Sequence, residues 1–297
     1  MRTDEVQAFI AICDLGSFQA AATELHLSQP AVSKRLASLE RRLDHALFDR
    51  VGRSVSLTEA GQAYLPHARA AIAALGDGYR ALDNLGLEVT GTLRLALSHH
   101  VGLHRMPEIL RRFVSWYPQV RLQVAFLDSE AACRAVARGD MELGVITLPI
   151  EANATLLETA IWADPMGVFV GSAHRLAHQQ RQGSALTVAD LAGEPAVLPP
   201  TESYTYTLIE NALDKQGVTL DTHMTSHYLE TLRMLADVGM GWTVLPVSMP
   251  LDGLVQLALP ELELERRLGV VRHPQRQLSN AARVMQQLLD TERQQSL

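Results

Sequence analysis

The segment from Ser17 to Leu43, SFQAAATELHLSQPAVSKRLASLERRL, constrains the chain most, because two apolar stripes of helical period sit on either side of a very short connection. Phe18, Ala22 and Leu25 form the first stripe; Val32, Leu36, Leu39 and Leu43 form the second. Each stripe has to be buried, so the spacing predicts two short helices packed on a common core. Between them, Ser28 or Gln29 can accept from the free N–H groups of the second helix, and Pro30 suits its first turn. The outer face then carries Gln29, Ser33, Lys34, Arg35, Ser38, Arg41 and Arg42, donors suited to phosphates and base edges in a major groove. Caps, turn, stripes and donors agree on a helix-turn-helix that reads double-stranded DNA.

The flanks extend this unit. A helix over 4–15 buries Val6, Phe9, Ile10 and Cys13, and residues 47–57, LFDRVGRSVSL, read as a hairpin turning at Gly52. Arg50 and Arg53 flank its tip, within reach of phosphate or a minor groove. From Thr58, the expected cap, Gly61, Leu65, Ala68, Ile72, Leu75, Tyr79 and Leu82 repeat as a coiled-coil seam along a helix ending near Gly86. Gly76 and Gly78 cost about 1 kcal/mol each against alanine in a helix interior, so the seam calls for a partner. A second copy meets that need and sets two recognition helices against a two-fold related DNA site. Thr90, Gly91 and Thr92 read as a hinge.

Charge requires the DNA footprint to be local. Residues 1–89 carry a net −2, yet 34–53 carry +3; the remainder carries −5 and is not expected to bind nucleic acid. With 297 residues and 47% apolar content the chain can build two or three cored domains. No basic segment followed by an apolar run opens it, and no stretch approaches a membrane span, so a cytoplasmic protein with no membrane partner is expected. Cys13 and Cys133 sit in helical patterns and read as small buried thiols rather than a disulfide, which disfavours peroxide sensing.

From Leu93 onward, short β-branched runs alternate with helical segments, the pattern of a doubly wound α/β fold with a parallel sheet. Strands over 93–97, 120–127 and 143–147 alternate with helices over 103–116 and 129–138. A second such unit comprises MGVFVG, AVLP, a helix over 203–216, HMTSHY, a helix over 229–238 and WTVLP; RLGVVRH and a helix over 279–290 return to the first. Ligands in such sheets sit beyond the carboxyl ends of the strands, against helix N-termini. That rule selects Ser98, His99, His100, Asp128, Ser129 and Thr147 in the first unit, and Thr201, Ser203, Tyr204 and His227 in the second.

The order DLGSFQAAATELHLSQPAVSKRLASLERRLDHALFDRVGRSVSLTEAG, residues 14–61, resembles the amino-terminal winged helix-turn-helix of LysR-type transcriptional regulators. GSF, AA, LSQPAVS, LE, LF, two arginines and LTEAG stand in family order, and the resemblance covers the whole chain, strongly to about residue 90 and more loosely beyond. It implies a winged helix-turn-helix over 1–57, a dimerising linker helix over 58–89 and, over 90–297, a two-lobed α/β effector domain like a periplasmic binding protein. Lobe I would take about 90–162 and 267–297, lobe II about 163–266, with chain crossings near 160–165 and 263–268. Pro30 and Ser33 match family positions that face bases, so the DNA set is Ser28, Gln29, Pro30, Ser33, Lys34, Arg35, Arg50 and Arg53. Gly239, Gly241 and Pro246 match a family turn. The family often carries hydroxyls where Ser98 and His100 fall, so His100 departs from it. A homodimer or homotetramer that takes a small-molecule inducer, with no cofactor, is implied.

The inducer expected from the hydroxyls and helix starts is a small anion, most simply a carboxylate, with His100 donating a hydrogen bond or, when protonated, a positive charge. Asp128 and Glu130 oppose an anion and keep a metal or cationic effector as the alternative; His100 and His104 have the four-residue spacing of zinc ligands, but no second pair completes a metal site. Enzymatic turnover is not expected. Ser98, His99 and Asp128 are the residue types of a hydrolase, yet adjacent Ser and His at a strand end point apart, and neither a GxSxG elbow nor a Gly-rich phosphate loop occurs. A solute-binding protein fits the second half alone but not the helix-turn-helix.

Overall fold

In the computed structural model, residues 2–49, 55–86, 88–151 and 155–296 are described. They fall into two compact units that divide at Leu85 and Gly86.

The first unit is built from α1 (Thr3–Leu15), α2 (Phe18–Glu24), α3 (Gln29–Leu43), the two-residue strands β1 (Phe48–Asp49) and β2 (Ser56–Leu57), and α4 (Glu59–Asp83). Its core gathers Val6, Phe9, Ile12, Val32, Leu36, Leu39 and Leu47, with the Phe9 ring 5.5 Å from both Phe48 and Tyr64. Ser17 caps α2, Ser28 caps α3 and Thr58 caps α4, each accepting from the backbone N–H three residues on. The corner between α2 and α3 is closed by His26, whose φ of 52° is a left-handed conformation uncommon outside glycine. Gly61 belongs to this core rather than to a seam, since a Cβ there would collide with the carbonyl oxygen of Leu47. Pro66 stands inside α4, where it removes one intrahelical hydrogen bond. Arg50 and Arg53, the wing-tip arginines, lie outside the described residues.

Along α4 the apolar repeat divides. Leu65, Ala68 and Ile72 pack on the first unit's own core, whereas Leu75, Tyr79 and Leu82 are 44%, 70% and 65% exposed. The helix ends at Asp83 rather than near Gly86, and Gly91 and Thr92, expected as a hinge, already pair with Val120 and Arg121 in the sheet.

In the second unit, β3 (Gly91–Leu97), β4 (Val120–Phe126) and β5 (Leu143–Thr147) are parallel in the order β4-β3-β5. Around them pack α5 (His99–His104), α6 (Pro107–Trp116) and α7 (Ser129–Arg138). The single helix expected over 103–116 is therefore two: α5 begins directly after β3, and Pro107 starts a new helix at its first turn. The sheet is mixed rather than parallel. The strand β6 (Leu157–Gly171) runs unbroken for 15 residues; after α8 (Arg175–Arg181), β7 (Ala196–Leu198), α9 (Tyr204–Asp214), β8 (Thr222–Thr225), α10 (Leu229–Asp237), β9 (Thr243–Pro246) and β10 (Leu254–Gln256), the strand β11 (Leu264–Arg272) returns antiparallel to both β6 and β5. The chain closes with α11 (Asn280–Ser296).

The crossing between the two halves is thus a ribbon of β6 and β11 hydrogen-bonded to each other, not a pair of loose connections. One end of the ribbon, with Trp162 and Leu268, packs into a core shared with Leu95, Phe113 and Val145, hereafter lobe I; the other, with Met166 and Leu264, joins Val170, Ile209 and Trp242 in lobe II. A register shift between Leu268 and Gly269 places a bulge opposite Ile161, and Gly269 admits no side chain because a Cβ would meet the carbonyl of Thr159.

Candidate functional site

On α3 the expected row of donors separates into two sets. Ser38 donates to Glu5 Oε1 at 2.7 Å and Arg42 pairs with Glu5 Oε2 at 2.6 Å, so both tie α3 to the buried Glu5 of α1 instead of facing outward. Arg41 turns back to the carbonyl of Ala37, and Arg35 approaches Asp4 at 3.6 Å. Gln29, Pro30 and Lys34 are exposed and Ser33 half-buried; no other side chain among the described residues engages Gln29, Ser33 or Lys34. The α3 N-terminus, with Ser28 as its cap, therefore presents a compact group of free donors where the helix dipole favours phosphate.

In the second unit, one cavity of about 300 Å³ opens between lobes I and II, of the size that small-molecule sites have. Ser98, His99, His100, Asp128, Ser129, Thr147, Ser203, Tyr204 and His227 all line it. Thr201 does not: it is exposed, and its hydroxyl donates to Glu202 at 3.3 Å.

Most of these polar groups are already engaged by the fold. Asp128 caps α7 by accepting from Ala131 N–H, and Ser203 caps α9 through Tyr206 N–H at 3.1 Å. Ser129 Oγ accepts from Thr147 N–H at 3.2 Å, fixing the end of β5. Glu130, from lobe I, accepts from the Tyr204 N–H at 2.6 Å and so occupies the N-terminus of α9 in lobe II; burial raises its carboxyl pKa. Two buried groups remain without a partner among the described residues: Ser98 Oγ, which makes no cap, and His100, whose two ring nitrogens are both unbonded. Of the two roles expected of His100, the neutral one fits. Burial, with Arg266 and His104 nearby, holds its pKa down to about 3, leaving a neutral imidazole.

Arg266 was not expected. It lines the cavity from β11, is 5% exposed, and donates through Nε and one terminal nitrogen to Asp164 Oδ2 at 3.0 and 2.5 Å and through the other to Thr205 Oγ1 at 3.3 Å. Asp164 is its direct cross-strand partner on β6, so the pair sits where the ribbon passes between lobes. Strand alternation carried the signal: Leu264, Arg266 and Leu268 face inward on β11, as Trp162, Asp164 and Met166 do on β6.

Ser98, His99 and Asp128 form no hydrolytic relay. His99 Nδ1 faces Glu230 at 3.7 Å and packs edge-on to Tyr228, while Asp128 faces backbone. Cys13 and Cys133 are free thiols, Cys13 only half-buried; burial pushes them up to about 12 and about 11, which makes both poor nucleophiles.

Residues 3–62 match the model of the bacterial regulatory helix-turn-helix proteins of the lysR family, and residues 87–294 match the LysR substrate binding domain. The chain belongs to the LysR family. It is a DNA-binding transcriptional regulator with a substrate-binding domain. An uncharacterized HTH-type transcriptional regulator of Azotobacter vinelandii is 57% identical over 102 residues, which is 34% of this chain and 71% of the relative. A probable RuBisCO transcriptional regulator of Porphyra purpurea is 28% identical across 96% of this LysR-family chain and 92% of its own. The structure of full-length CbnR complexed with its target DNA superimposes with a TM-score of 0.62 at 18% identity, covering 100% of both chains. No helix among the described residues of this LysR protein is long and apolar enough to cross a membrane.

Proposed function

We propose that this LysR-family regulator is gated by a small carboxylate held between lobes I and II, and that it acts on DNA in the cytoplasm as a homodimer or homotetramer rather than as an enzyme. The observation that carries the reading is the pairing of the Arg266 guanidinium with the unpartnered Ser98 hydroxyl in one cavity. The guanidinium supplies charge, and the hydroxyl supplies a donor that the fold leaves unused. Asp164 offsets part of that charge, so the ligand is a compact anion that also satisfies Ser98 rather than a polyanion.

Oligomer formation is supported by the exposed distal half of the α4 stripe, since an amphipathic helix with Leu75, Tyr79 and Leu82 in water gains most of its stability from a partner. For DNA, Gln29, Pro30 and Ser33 are the base-facing set and Lys34 a phosphate contact; Arg35 reaches phosphate by exchanging Asp4 for it.

Calorimetry on the full chain with a panel of small mono- and dicarboxylates tests the ligand. One of them should bind, and Ser98→Ala should weaken it roughly 10- to 100-fold, the loss expected for a hydrogen bond to a charged group. No binding across the panel, or equal binding by the variant, overturns the carboxylate reading. Leu75→Asp should yield monomers in sedimentation; an unchanged oligomer would move the interface off α4.

A further inference from the structure

The mouth of the cleft holds a second arrangement that neither the anion reading nor the fold accounts for. His100 and His104 stand one helical turn apart on α5, and their rings pack with centroids 4.7 Å apart. Across the gap, Glu230 in the first turn of α10 brings Oε1 to 3.2 Å from His104 Nε2. One donor atom from each of the three lies within 4.8 Å of the others.

We propose that His100, His104 and Glu230 bind a divalent first-row transition ion that bridges lobe I to lobe II. A tetrahedral ion with bonds of about 2.0–2.1 Å places neighbouring ligand atoms about 3.3 Å apart. The His104–Glu230 edge already has that length. Since all three ligand atoms already lie within 4.8 Å of one another, the His100 ring has to swing by no more than about 1.5 Å to complete a triangle of ligands, a displacement that rotation about its side-chain bonds supplies. His100 has the motive to do so: it is 7% exposed, and neither ring nitrogen has a partner. A buried polar group in that condition is destabilising, which coordination relieves.

Two imidazoles and one carboxylate select zinc or a neighbouring transition ion over calcium or magnesium, and three protein ligands leave a position open to water or an anion. Arg266 and Arg105 oppose a cation here, but both are turned to Asp164, at 2.5 and 3.6 Å. His99, at 3.7 Å from the other Glu230 oxygen, holds that carboxylate toward α5. Because two ligands stand on lobe I and the third on lobe II, the ion fixes the separation of the lobes at the cleft mouth.

His100 also lines the cavity proposed for the carboxylate, so the site is tested by the metal alone, with no carboxylate present. Chelator-stripped full-length protein, titrated with Zn²⁺ against a chromophoric chelator, should take up about one equivalent in a site of this kind. His104→Ala and Glu230→Gln should each weaken uptake by at least about tenfold, while His223→Ala, at an exposed position away from the cleft, should not. Co²⁺ in place of Zn²⁺ should show the intense visible bands of tetrahedral coordination, lost in both ligand variants. Both substituted side chains are more than a third exposed, so matching melting curves will show that the fold is kept. No zinc uptake at micromolar concentration, or native affinity in both ligand variants, overturns the site; loss in His104→Ala with native affinity in Glu230→Gln overturns the bridge.

Discussion

The outer face of α3 and the wall of the cleft carry similar side chains and use them in opposite ways. On α3, Gln29, Ser33 and Lys34 are left free, and the polar residues the fold does need, Ser38 and Arg42, turn inward to one buried carboxylate, Glu5. In the cleft, Asp128, Ser129, Ser203, Glu130 and Arg266 are all spent on caps, strand ends and an ion pair, and among the described residues Ser98 and His100 are left over, with His99 Nδ1 reaching Glu230 only at 3.7 Å. A surface that meets a polyanion can keep its donors in water until binding; a cavity cannot, because an unpaired buried polar group is costly. The residues that stand unpaired inside a cavity are therefore more informative about its ligand than those that merely line it.

This contrast can be broken most forcefully at Arg266. Replacing it with Met leaves Asp164 buried without its closest partner and should cost about 3–5 kcal/mol in urea unfolding, while Asp164→Leu combined with Arg266→Met should recover most of the loss. A single-variant cost below about 1 kcal/mol would mean that the cleft's charges are not engaged by the fold in the way described. Next in size is Glu5→Ala, which strips Ser38 and Arg42 of their shared acceptor and should cost about 1–3 kcal/mol in the first unit. Ser203→Ala, through loss of the α9 cap, should cost about 1 kcal/mol. The smallest losses sharpen the comparison: Lys34→Ala should change stability by less than about 0.5 kcal/mol, and Ser98→Ala should cost nothing or raise it, since the hydroxyl removed is buried without a partner among the described residues. Each should act on binding instead, Lys34→Ala lowering the salt dependence of DNA affinity by about one unit of slope. A melting temperature lowered more by Ser98→Ala than by Ser203→Ala would reverse the assignment of which hydroxyl the fold consumes.

The same contrast explains what was legible in the sequence. The helix-turn-helix is a local object: its stripes, caps and connection lie within 27 consecutive residues, so periodicity alone placed α2 and α3. The segments over 129–138 and 143–147 were equally clear, the first by its helical spacing and the second as a short apolar run with β-branched residues. Periodicity could not show that Ser38 and Arg42 are taken by Glu5, because that contact joins positions more than 30 residues apart. Nor could it show that β6 and β11 pair antiparallel, which made a mixed sheet of an expected parallel one. The strand-end rule gathered most of the cleft lining because helix starts are local features, but Thr201 lies just before the turn that Ser203 caps and faces away. Arg266 was missed for a different reason. It sits in ELERRLGVV beside the exposed Arg267, and only strict alternation along β11 separates the buried guanidinium from the solvated one. His100 was found by position with two roles open, as a neutral donor or a charged one, and the choice between them rests on burial, with Arg266 and His104 nearby, that no local pattern reports.

The paired ribbon that joins the lobes has a mechanical meaning. Two strands tied by a continuous ladder resist sliding past one another but yield readily to torsion, so lobes I and II cannot shear apart as separately tethered bodies would. A twist about the ribbon's long axis is the motion such a ladder opposes least. The bulge opposite Ile161 is the softest point of the ladder, and the Asp164–Arg266 rung lies a few residues from it on the side toward lobe II. Torque from the proposed carboxylate, lodged against Arg266, would thus be applied next to the bulge, as a key turns a lock from its shaft rather than its teeth.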